Sequence, residues 1–152
     1  MNIWILKYGA DTFDEKFVKN APGVTEGIDQ LENYQVTSKQ VNKFHFLSIH
    51  TPFQFSQKKY LSVSDNAFKG YSGLMIGKTD SDTDLRTVDA VDTSKPENYN
   101  GQFALFNLSD DTFECLVDNF GFHKVFYFKQ GADIYISNSM ALLRATGKLK
   151  SN

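Results

Sequence analysis

Short aromatic and β-branched runs, punctuated by Gly, Pro, Asn and Asp, recur along the chain, and no apolar pattern of helical period is sustained. Strands therefore dominate the expectation. Residues 2–8 (NIWILKY) read as a buried strand, and Gly9-Ala10-Asp11 breaks it. Asp11 or Thr12 can cap a short helix through Phe13, Phe17 and Val18, closed by the Ala21-Pro22-Gly23 turn. Residues 24–43 are polar and weakly patterned, fitting a loop or an irregular strand. Phe44 to Ile49 reads as a strand ended by Thr51-Pro52, and Tyr60, Leu61 and Val63 suggest another. Lys69 to Lys78 is strand-like, with Gly70, Gly73 and Gly77 suited to close backbone approach or a bulge. Residues 79–98 are acidic and read as an exposed connection, with Leu85 to Val91 a candidate edge strand.

The densest apolar stretch runs from Tyr99 to Leu143. Gln102–Leu108 and Thr112–Asp118 form a hairpin about Ser109-Asp110-Asp111, with Phe113, Cys115 and Val117 on one face. Asn119-Phe120-Gly121 turns, Gly121 permitting positive φ. Lys124–Phe128 and Ile134–Ser137 form a second hairpin about Gln130 to Asp133, and the flanking aromatics are expected to bury both hairpins against a second sheet. Ser137 or Asn138 can cap a helix holding Met140, Leu142 and Leu143, with Gly147 as its stop.

At 152 residues the chain suits one domain able to fold without staples. Its 14 Phe and 7 Tyr favour strands further. A net charge of -2 gives no electrostatic case for nucleic acid or an anionic membrane. A single cysteine excludes an internal disulfide and a CxxC metal site. The run Ile3-Trp4-Ile5-Leu6 is stopped by Lys7, too short for a signal peptide, and no membrane-spanning apolar run occurs. A cytoplasmic protein is the expectation.

Three segments of the apolar stretch resemble one family. Gly101-Gln102-Phe103-Ala104, Asp118-Asn119-Phe120-Gly121-Phe122-His123-Lys124-Val125-Phe126-Tyr127 and Tyr135-Ile136-Ser137-Asn138-Ser139-Met140-Ala141-Leu142 follow in that order. They are similar to the closing third of the class II glutamine amidotransferase domain that begins asparagine synthetases. That family has Gly-x-Phe-Ala, then Asp-Arg-Phe-Gly with Lys-Pro-Leu-Tyr-Tyr, then Phe-Ala-Ser-Glu with Lys-Ala-Leu. The resemblance implies an Ntn-hydrolase-like α+β fold of two packed, mainly antiparallel sheets with few helices, truncated relative to the family. It covers about a third of the chain. It implies one domain over residues 1–147, with 148–152 a tail or linker to a missing ATP-dependent synthetase domain, the expected partner in cis or in trans. A homodimer is a further partner reading, alongside no nucleic acid and no membrane.

The resemblance also implies a reaction, hydrolysis of glutamine to ammonia, for which the residues are wrong. The family's nucleophile is a cysteine that becomes the N-terminus, its free amine serving as base. Here residue 2 is Asn2, whose amide is not nucleophilic and whose bulk disfavours removal of Met1. The family's Arg-Gly-Pro-Asp loop has no counterpart, and its Asn-Gly-Glu oxyanion segment is replaced at best by Tyr71-Ser72-Gly73-Leu74. Asp80, Asp82 and Asp84 lie where an acid gripping the substrate amine would fall, and a surface loop explains them equally well. The expectation is a degenerate domain with a structural or docking role in biosynthesis, a pseudoenzyme with no catalytic, cofactor-binding or metal-binding residue assigned. The rival readings are an active Ntn-type amidohydrolase with an unusual nucleophile, and an unrelated β-rich binding module.

The remaining candidates read more plainly. Counted from Asp80, the acidic run with Asp89 and Asp92 puts Leu85 and Val91 where an EF-hand needs Gly and Glu. Cys115 alternates with Phe113 and Val117, as a buried structural cysteine does. His45 and His50 fall on opposite faces of a strand and lack a third ligand. His123 reads as a surface residue, Trp4 and the phenylalanines as core, and the sequon Asn107-Leu108-Ser109 as chance.

Overall fold

The computed structural model describes residues 2–10, 35–50, 60–77, 88, 91–109 and 111–149. They form two antiparallel sheets and one short α-helix. The chain falls into two compact units, residues 1–52 with 125–152, and residues 53–124. The proposed helix at Phe13 to Val18 and four of the acidic-loop aspartates (Asp80, Asp82, Asp84, Asp89) lie outside the described residues.

The first unit holds a five-stranded sheet. Its strands are β1 (Asn2–Tyr8), β2 (Gln35–Val41), β3 (Phe44–His50), β8 (Phe126–Gln130) and β9 (Asp133–Ser137), in the order β2-β3-β1-β9-β8. β1 is central, and Trp4, Ile5, Leu6 and Lys7 are all buried. A strand covered on both faces needs a continuous apolar run rather than alternation, and Ile3 to Leu6 supplies it. β2 is the edge and mostly exposed, so its Gln-Val-Thr-Ser-Lys-Gln sequence tolerates polar residues on both sides. It turns into β3 through Asn42, whose φ of 51° is one that asparagine accepts.

On one face of this sheet Ile5, Leu47, Ile49 and Tyr135 pack with Leu142 and Leu143 of α1 (Met140–Ala145). The helix is capped by Ser139, whose Oγ accepts the Leu142 N–H, and not by Ser137 or Asn138. Those two side chains serve β1 instead. Ser137 Oγ donates to the Trp4 carbonyl, and Asn138 Oδ1 accepts the Trp4 N–H at 2.8 Å. With Ser137 and Asn138 so engaged, the hydroxyl of Ser139 makes the cap. Gly147 ends the helix in the left-handed region at φ 66°, donating to Arg144 O.

The second unit holds a four-stranded sheet, β4 (Leu61–Val63), β5 (Phe68–Gly77), β6 (Tyr99–Ser109) and β7 (Thr112–Val117), in that order. Phe103 to Phe106 are buried at every position, so β6 is covered on both faces. Tyr71, Met75, Tyr99, Phe103 and Leu105 form a core on one side together with Val88 and Val91. Those two valines correct the expectation of an exposed connection, since they dock into this core; the rest of the candidate edge strand at Leu85 to Val91 lies outside the described residues.

The second hairpin, β8–β9, belongs to the first unit and not to the sheet of β6 and β7. The expectation that its flanking aromatics are all buried is also corrected. Phe120, Phe122 and Tyr127 are 80%, 64% and 79% exposed.

Candidate functional site

The segments that carry the family resemblance in the second unit come together at one place. β5 and β6 pair with Gly73 opposite Phe103 and Met75 opposite Gly101. Gly73 has φ 93° and Gly101 φ 126°. A Cβ on Gly73 would overlap the Gln102 carbonyl oxygen, and one on Gly101 would overlap the Leu74 carbonyl oxygen. Only glycine allows the two strands this approach. Gly70 is a third close contact, where a Cβ would meet the Phe106 ring.

The loop after β7 folds onto this crossing. The Asp118 N–H donates to Phe103 O at 2.9 Å, and Gly121 N–H donates back to Asp118 O at 2.9 Å, with Gly121 at φ 64°. The buried Asp118 carboxylate accepts three further main-chain N–H groups. Oδ1 takes those of Phe120 and Phe122, each at 3.1 Å, and Oδ2 takes that of His123 at 2.8 Å. Burial alone would raise this carboxyl's pKa. The amides of His123, Phe122, Phe120 and Phe103 outweigh it and hold the pKa below the usual value.

His123 closes the loop onto β5. Its Nε2 lies 2.7 Å from Ser72 Oγ, and its Nδ1 faces the space that a side chain on Gly73 would fill. Burial lowers the imidazole pKa, and the Asp118 charge only partly opposes this. In the neutral Nδ1–H tautomer, Nε2 accepts the serine proton. His123 is therefore half-buried and bonded, which corrects its reading as a surface residue.

Serine, histidine and aspartate in one cluster are the residue types of a hydrolase triad, but their geometry is different. A triad aspartate orients the imidazole. Asp118 instead bonds the histidine's main chain. Ser72 is fully buried, so its hydroxyl meets no substrate. The arrangement locks a loop in place. Beside it lies a small hollow of about 30 Å3, lined by Pro96, Tyr99, Gly101, Val117 and Phe120 among others.

The other candidates are placed apart from this cluster. Cys115 is half-buried opposite Phe106, and burial pushes its thiol up to about 12, far from a reactive thiolate. His45 and His50 lie at opposite ends of β3, paired with Lys7 and Asn2 of β1. Burial lowers the pKa of each. Lys7, beside His45, is buried with an ion pair to Asp133 at 3.4 Å and its ammonium 5.8 Å from the Tyr135 ring centre. Asp92 forms a turn, Oδ1 accepting from Ser94 N–H at 3.0 Å and Ser94 Oγ at 2.6 Å. Trp4 is core, 6.3 Å from the Phe46 ring, and Asn107 is a half-buried strand residue. Among the described residues no three His, Cys, Asp or Glu side chains gather as a metal site. Nor is any described helix long and apolar enough to cross a membrane.

Sequence reasoning missed the Ser72–His123 bond. The partners are 51 residues apart, and no local pattern links them. The chain matches no protein-family model and no curated protein.

Proposed function

We propose that this chain is a catalytically degenerate class II glutamine amidotransferase-like domain of an asparagine-synthetase-related protein, with a structural or docking role beside an ATP-dependent synthetase domain. The supporting observation is convergence. The Gly101–Ala104 segment and the Asp118–Gly121 turn resemble the family at separate places along the sequence, and Tyr71–Leu74 stands where the family's oxyanion segment is lost. They meet in one hydrogen-bonded cluster. The two mainly antiparallel sheets agree with an Ntn-hydrolase-like fold at the level of sheet type.

The chemistry of the same cluster favours the degenerate form. The family reaction needs a thiol and a free amine on one residue, and Asn2 offers neither a thiol nor a hydroxyl. The serine and histidine that do touch are used in holding the loop. Purified protein incubated with glutamine is expected to release no ammonia above a blank in a coupled glutamate dehydrogenase assay. Release that is stoichiometric with glutamate would refute the degenerate reading in favour of an active hydrolase. The docking half has its own test in the coding sequence. A synthetase domain carrying a pyrophosphate loop is expected in the same frame or an adjacent one, and its absence from both would remove that half.

A further inference from the structure

We propose that Lys7, His45 and Asp133 form an acid-sensitive latch at one end of the five-stranded sheet, which holds the β2–β3 hairpin on β1 at neutral pH and releases its turn end when His45 takes up a proton. The strand register sets the three groups in a line. His45 of β3 lies opposite Lys7 of β1, and Lys7 lies opposite Tyr135 of β9. Residues directly opposite in antiparallel strands share a face of the sheet. Asp133, two residues before Tyr135, belongs to the same face, and its carboxylate meets the Lys7 ammonium at 3.4 Å. Gly9 makes that approach possible, since a Cβ there would overlap Asp133 Oδ1. β1 runs between β3 and β9, so Lys7 stands between His45 and the carboxylate.

The line holds one cation comfortably and not two. Lys7 and His45 are buried, at 4% and 5% exposure. Lys7 has a counter-charge in Asp133 and the Tyr135 ring 5.8 Å from its ammonium. Among the described residues, the other groups around His45 bring no carboxylate. β2 places Gln40 opposite it, while Lys39, opposite Phe46, lies on the other face. The turn contributes Lys43 and α1 contributes Arg144, both exposed. Lys7 is the charge that acts on His45, and it opposes protonation in the same direction as burial does. A proton on His45 therefore puts two buried cations on adjacent strands, with the carboxylate on the far side of Lys7. Opening the strands returns water to both.

The part that gives way follows from the topology. β2 is the edge of the sheet, and the turn from β2 into β3 comes just before His45. Past the His45–Lys7 pair, that turn is fastened by the Gly9 N–H donating to Lys43 O at 2.9 Å. The core under α1 rests on Ile5, Leu47 and Ile49, further along the strands. The turn end can lift while the helix-covered part stays closed.

Hydrogen exchange tests the latch, read amide by amide by NMR at about pH 7.5 and about pH 5.5 and divided by the intrinsic rate at each pH. The Gly9 amide is expected to open about three- to tenfold more often at the lower pH, the upper bound being the proton uptake of a water-exposed histidine. In His45→Gln the change is expected to stay below about twofold. In His50→Gln, which alters the opposite end of β3, the rise is expected to remain. Lys7→Met is expected to raise the midpoint at which the His45 ring protons titrate by about half a pH unit. A wild-type change below about twofold would overturn the proposal. So would loosening that persists in His45→Gln or vanishes in His50→Gln, or a His45 midpoint unmoved in Lys7→Met. Should Lys7→Met fail to fold, the two histidine variants decide. None of these outcomes depends on the amidotransferase-like reading.

Discussion

Removing the Asp118 carboxylate tests how the loop is held. In Asp118→Ala, three main-chain N–H groups lose an anionic acceptor: Phe120 and Phe122 at 3.1 Å and His123 at 2.8 Å. A hydrogen bond to a charged group contributes about 1.5 kcal/mol at the low end. Three at that value sum to about 4.5 kcal/mol. The freed amides lie at a partly exposed loop and recover some of this from water, leaving about 2–3 kcal/mol. Amide hydrogen exchange reads the effect locally. Phe120, Phe122 and His123 are expected to exchange about 30–150-fold faster in the variant. The thermal midpoint should drop by about 5–10 °C. The pH dependence has a definite sign. The folded carboxyl titrates below its unfolded value of about 3.9, so its stabilisation is present above that pH. It is lost as pH falls through the folded value, and the gap between wild type and variant must narrow there. Exchange within threefold of wild type at all three amides would refute the account of Asp118 as the loop's anchor, and so would a gap that widens on acidification.

Two further expectations concern the whole fold. Gly73→Ala and Gly101→Ala should each cost about 2–4 kcal/mol in urea unfolding, because both a positive φ and an overlapping carbonyl oppose the methyl group. Gly147→Ala, with φ 66° and open space around it, should cost only about 1 kcal/mol. All three histidines have folded pKa values lowered chiefly by burial, so the folded state resists protons that the unfolded state accepts. Stability should therefore fall as pH drops through about 6.5, and His45→Gln should flatten part of that decline in thermal melts from pH 7.5 to 5.

The strands were legible where burial and propensity agree. Asn2–Tyr8 is continuous and apolar because β1 is covered on both faces, and its observed bounds match the sequence reading. The glycines of β5 were read as sites of close approach, which Gly70 and Gly73 confirm. β2 was only half legible, because an exposed edge strand has no apolar face to declare it. The split of the Tyr99–Leu143 stretch between two sheets was not legible either. Successive hairpins look alike in sequence whether they extend one sheet or open another, and the Asp118–Lys124 connection carries no apolar signal of a crossing.

Within the candidate site, the backbone was easier to read than the side chains. A glycine after Asp-Asn-Phe announces a tight turn by a local rule, and Gly121 at φ 64° obeys it. What Asp118 does there needs the turn to exist already, since its carboxylate reaches amides two, four and five residues ahead. The Ser72–His123 bond needs the whole sheet. Phe120 and Phe122 mislead for the opposite reason: by composition they belong inside, and the carboxylate-held loop keeps them out. A fold that spends a buried charge to display two aromatic rings has organised its surface, not only its core.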